Sequence, residues 1–127
     1  MSLSSENYHV FAILIDELRE YVNKSTHNAA ELRQRLASLQ QFFQQQIVPL
    51  NNEADSYPQS RIQSYQTEIS KQLRLLEIDV MFFQGARQAS TAQHRLNAIS
   101  DRLTTLTEYC KAIMPQDSQD NENLANG

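Results

Sequence analysis

The chain has 127 residues, 40% of them hydrophobic, and a formal net charge of −4, which suits one domain able to bury its own core without disulfides or metal. Two glycines and three prolines are too few for the turns of an all-β fold, and neither a P-loop nor a dinucleotide fingerprint can be written with them. Eleven Lys and Arg spread over the whole length make no basic stripe, so nucleic acid is not an expected partner.

The first residues carry no basic n-region, and the apolar run VFAILI is too short for a signal core or a membrane span. From about 5 to 24, Tyr8, Phe11, Ile15, Leu18 and Val22 recur at steps of three and four, with Leu14 and Tyr21 widening the stripe. This spacing predicts an amphipathic helix. After a break at 25–27, Asn28 followed three residues later by Glu31 reads as a capping box that opens a second helix over about 28–54. Its seam is Leu32, Leu36, Leu39, Phe43, Ile47 and Leu50, and Pro49 should kink or end it. Gln40, Gln41, Gln44, Gln45 and Gln46 read most simply as a neutral solvated face around Phe42 and Phe43, with a recognition surface as the alternative.

A linker ending at Pro58 leads into a third helix over about 58–88, with Ile62, Tyr65, Ile69, Leu73, Leu76, Val80 and Phe83 as its seam. Ser90 or Thr91 offers a cap for the fourth helix, about 91–114, where Ala92, Leu96, Ile99, Leu103, Leu106, Cys110 and Ile113 give the cleanest seven-residue pattern before Pro115 stops it. The expected fold is all-α: an antiparallel up-down-up-down four-helix bundle in a single domain, 1–115, followed by a disordered acidic tail, 116–127, bearing Asp117, Asp120 and Glu122. A lone Cys110 cannot form an internal disulfide, in keeping with a reducing, cytoplasmic location.

Residues 75–86 are apolar on nearly every side, Ile78 and Met81 included, yet carry Asp79. Asp79 lies roughly 60° from the centre of the seam, beside a second stripe of Leu75, Phe82 and Ala86. A hairpin of the third and fourth helices sets it level with Ile99, between Arg95 and Arg102. It is then either an ion pair with one of these arginines that fixes helix register, or the rim of a partner-binding patch made by Leu75, Phe82 and Ala86. Arg87 has no acid at helical spacing, so it either complements the helix C-terminus or is free for a partner's carboxylate. The second stripe itself is buried by neighbours within the monomer, the leading expectation, or against another chain. A single carboxylate with no second acid or base is a poor catalyst. His9, His27 and His94 lack ligand partners at helical spacing, and Cys110 sits on a seam. No catalytic, metal or cofactor site is expected.

The run from Leu73 to Met114 resembles the C-terminal half of the PatD family, small cyanobacterial proteins that control heterocyst frequency. The likeness lies chiefly in EIDVMFFQGARQ and in the RL and YC pairs of the fourth helix; it covers about one third of the chain and includes no catalytic motif. The overall length and four-helix layout fit as well. The resemblance implies a cytosolic regulatory protein of filamentous cyanobacteria that interacts with the tubulin-like division protein FtsZ and influences its assembly. It brings no binding residues with it. The expected function is a non-enzymatic protein-interaction module, with a self-assembling homodimeric bundle, or an adaptor for another protein, as the alternative.

Overall fold

The computed structural model describes residues 3–24, 28–52 and 59–114. The tail 116–127, the break at 25–27, Pro58 and Pro115 lie outside the described residues. Four α-helices account for most of the rest: α1 (Leu3–Val22), α2 (Ala29–Phe42), α3 (Gln59–Gly85) and α4 (Ala89–Ile113). Among the described residues there is no strand, and no helix is long and apolar enough to cross a membrane.

Each helix packs on two others: α1 lies against α2 and α4, and α3 lies against the same two, so α1 and α3 occupy opposite corners of the bundle. Paired side chains give the directions. On α3 and α4, Tyr65 meets Tyr109 and, further along, Asp79 meets Arg95. On α2 and α3, Arg33 bonds Gln84 while Gln40 bonds Glu77. On α1 and α2, Phe11 stacks on Phe42 while the other end of α1 brings Tyr21 to Asn28. Ascending positions on one helix thus meet descending positions on the next, and consecutive helices run antiparallel. The seams read from spacing form the core, with Tyr8, Phe11, Ile15, Leu32, Ile47, Ile69, Leu76, Ile99, Leu103 and Leu106 fully buried. Interdigitation of these side chains is the main stabilising term.

Asn28 caps α2 as its sequence predicts, its side-chain oxygen accepting from the Ala30 and Glu31 amides. The reciprocal half of the box differs: the Asn28 N–H donates to the Tyr21 hydroxyl at 2.8 Å. Glu31 pairs with Arg35 one turn on, and that guanidinium, with a further hydrogen bond from Tyr21, holds the Glu31 carboxyl below its ordinary range. Tyr21 thereby fastens the end of α1 to the start of α2.

Three boundaries depart from expectation. The second helix is not one α-helix to residue 54: α2 ends at Phe42, a π-helical turn follows over Phe43–Ile47, and a 3-10 turn over Val48–Asn52. The Val48 N–H reaches the Phe43 carbonyl, five residues back. Pro49 supplies the reason, since it has no N–H and its ring crowds the carbonyl four residues before it; widening and then tightening the chain relieves both. Helix α3 stops at Gly85 rather than near 88, its last turn tightened by the Ala86 N–H to the Phe83 carbonyl. Helix α4 starts earlier than Ser90 or Thr91 allows: Gln88, in extended backbone, holds the N-cap position without a side-chain bond, because only residues 86–88 separate the two helices.

Candidate functional site

Asp79 is buried in the α3–α4 seam and meets both arginines at once. Its Oδ2 accepts from Arg102 Nε at 2.5 Å, and its Oδ1 lies 3.6 Å from Arg95 Nη1. Arg102 also donates to Gln72 at 3.4 Å. One carboxylate therefore serves two guanidiniums, leaving a local surplus of one positive charge. The tighter partner is Arg102, whose neutral neighbour Gln72 helps to fix its fork. Arg95, the looser of the two, lies over the Phe82 ring at 4.4 Å from its centroid, in cation–π contact.

The burial of Asp79 removes it from any rim. Leu75 and Ala86 are half-buried, whereas Phe82 and Arg87 are exposed, Arg87 in the α3–α4 link with no ion pair among the described residues. The apolar outer surface of α3 consists instead of Ile78, Met81 and Phe82, exposed by 41%, 65% and 54%. The leading expectation, burial of the second stripe within the monomer, holds in part for Leu75 and Ala86 and fails for Phe82, which is exposed with Ile78 and Met81. The seam centred on Leu73, Leu76 and Val80 faces the core, and Ile78 and Met81 sit on the far side of the same helix. Their apolar character was legible in the sequence, as a helix apolar on nearly every side. Which side faced outward required knowing that α3 is a corner helix.

A second feature was not read from the sequence. Gln66 is buried, its Nε2 donating to the Tyr8 hydroxyl at 2.9 Å and to the Ile47 carbonyl at 3.4 Å. The Ile47 carbonyl stands at the junction of the π turn and the 3-10 turn, and the Gln66 amide ties that junction to α3. Its signal was a glutamine four residues after Ile62 and three before Ile69, on the seam itself. Burial pushes the Tyr8 hydroxyl up to about 12, against the lowering effect of the Gln66 bond, with Cys110 nearby adding to the rise. The Cys110 thiol, fully buried at the same end of the core, is likewise pushed up to about 12 by desolvation.

Beside Gln66, an open groove of about 810 Å³ runs between the π turn and α3, lined by Phe43, Gln44, Val48, Gln63, Lys71 and Arg74 among others. Its polar groups are amides, hydroxyls and two cations. Among the described residues no three His, Cys, Asp or Glu side chains gather at metal-binding distance, and His9 and His94 are exposed on separate helices.

No family model, curated protein or solved structure matches the chain. With Arg95 over the Phe82 ring, the outer face of α3 groups three of the five large apolar side chains exposed among the described residues.

Proposed function

We propose that the chain is a non-enzymatic cytoplasmic regulatory module that binds another protein through the outer face of α3. The observation that carries this reading is the exposure of Ile78, Met81 and Phe82 side by side, with Arg95 lying over Phe82. Large apolar side chains clustered on one exposed face mark an interaction surface, and an aromatic ring with an arginine is a frequent hot-spot pair. The groups that chemistry would need are engaged elsewhere: two guanidiniums bind the Asp79 carboxylate, and the Cys110 thiol is buried and protonated at neutral pH.

The partner in this proposal is FtsZ, as the PatD resemblance of residues 73–114 implies, and the consequence of binding is a change in FtsZ assembly and thereby in heterocyst frequency. Co-sedimentation of the purified protein with assembling cyanobacterial FtsZ, beside a no-nucleotide control and an unrelated helical bundle, tests it. Specific pelleting that Phe82→Ala or Arg87→Ala reduces, with helicity unchanged, is the expected result. Folded variants that pellet as well as the parent chain would remove α3 from the interface.

A further inference from the structure

The outer faces of α1 and α3 match each other. On α1, Glu6, Val10, Ile13, Glu17 and Glu20 follow one another at alternating steps of four and three, all exposed, with Val10 and Ile13 open by 42% and 45%. On α3, Lys71, Arg74, Ile78, Met81 and Gly85 do the same. Both are coiled-coil stripes on surfaces that, among the described residues, no other helix covers. One is acidic with an apolar centre, the other basic with an apolar centre. Among the described residues, Glu17, Glu20, Lys71 and Arg74 form no ion pair within the chain.

Laid antiparallel, the two stripes agree layer by layer. Glu20 faces Lys71, Glu17 faces Arg74, Ile13 faces Ile78, and Val10 faces Met81, with Glu6 arriving near Gly85 and Arg87. The parallel alignment matches only Glu6 to Arg74 and sets Glu17 against Gly85. Because α1 and α3 stand at opposite corners of the bundle, these faces look away from each other and cannot meet within one chain. Nor can two copies satisfy both pairs reciprocally, since each copy offers the two faces on opposite sides. A contact of this kind is heterologous and leaves a complementary face free at each end.

We infer that the chain self-associates head to tail, the acidic α1 stripe of one copy packing antiparallel on the basic α3 stripe of the next, each copy turned end over end relative to its neighbour. The inference rests on the reading of the α3 face as an interaction surface and names a second copy as its occupant, competing there with any other protein.

Analytical ultracentrifugation of the full chain, from micromolar to millimolar and at low and high salt, tests it. The average mass should climb with concentration without reaching a plateau at low salt and should return to one chain at high salt, as screening removes the flanking ion pairs. Glu17→Arg alone and Arg74→Glu alone should each abolish the rise, while a chain carrying both E17R and R74E regains it and an equimolar mixture of the two single variants assembles. A mass of one chain throughout, a plateau at two copies, or no recovery in the doubly changed chain would overturn the proposal. Glu17→Arg leaves α3 untouched, so co-sedimentation of that variant with FtsZ separates the two readings. Retained pelleting without self-association isolates the role of α1, whereas pelleting indifferent to Phe82→Ala removes the α3 surface from partner binding alone.

Discussion

Removing the carboxylate of Asp79 leaves two guanidiniums facing each other across the α3–α4 seam. Both are about a third exposed, so water screens part of the penalty, and Asp79→Ala is expected to cost about 2 kcal/mol, less than for a wholly buried pair. Double-mutant cycles by urea unfolding should assign about 1–2 kcal/mol of coupling to Asp79 with Arg102 and less than about 1 kcal/mol to Asp79 with Arg95. A larger coupling to Arg95 would contradict the observed geometry. Cys110 and Tyr8 set a different dependence. Both have folded values raised to about 12, from 9.0 for the thiol and 10.0 for the phenol, so the folded state holds protons that the unfolded chain releases. Their contribution is complete below pH 9 and is lost as pH rises from about 9 toward 12. At pH 10.5 the thiol alone should lower stability by about 2 kcal/mol relative to pH 8. Urea titrations at the two pH values check this, and Cys110→Ala should flatten the decline.

Between α1, the π turn and α3, the buried Gln66 amide joins three elements through Tyr8 and the Ile47 carbonyl. Gln66→Leu strands the Tyr8 hydroxyl in the core and should cost about 2 kcal/mol, while adding Tyr8→Phe removes the stranded group and should return part of that loss. Thermal melts of the single and double variants read the difference; a double variant no better than Gln66→Leu would mean that the hydroxyl finds another partner. This latch also shows where sequence reading stops. The four helices, the Asn28 cap and nearly every core position follow from apolar spacing, because burial of a helix face is a periodic demand. Gln66 stood on the seam but was passed over, since its two partners come from α1 and from a distorted turn of the second segment. Pro49 announced a disturbance, yet a kink, an end and a widened turn all answer the same missing N–H. Asp79 could be placed between Arg95 and Arg102, but its hold on both depends on side-chain reach, which helix register alone does not fix. Ile78 and Met81 were visible as apolar, and their outward direction depended on the arrangement of the whole bundle.

At the scale of the whole molecule, the bundle is closed inside and asymmetric outside, with an acidic apolar ridge along one corner and a basic apolar ridge along the opposite one. The core that separates these corners is continuous, so a change that alters helix register on one side alters the direction of every surface residue beyond it. Length changes are therefore expected to be punished almost everywhere: deleting Ser100 from α4 rotates the remainder of its seam by about 100° and should abolish cooperative unfolding. The π turn is the exception. A π turn is an α-helix carrying one residue more than the backbone needs, and here that surplus sits in the exposed run Gln44, Gln45 and Gln46 between the buried Phe43 and Ile47. Deleting Gln45 moves those two anchors from four residues apart to three, still on one helical face, and should leave a folded protein whose circular-dichroism melt stays cooperative. A gap of one residue within that glutamine run is thus the length change that the fold should tolerate best, provided that the 3-10 turn still keeps the Pro49 ring clear of the preceding carbonyls.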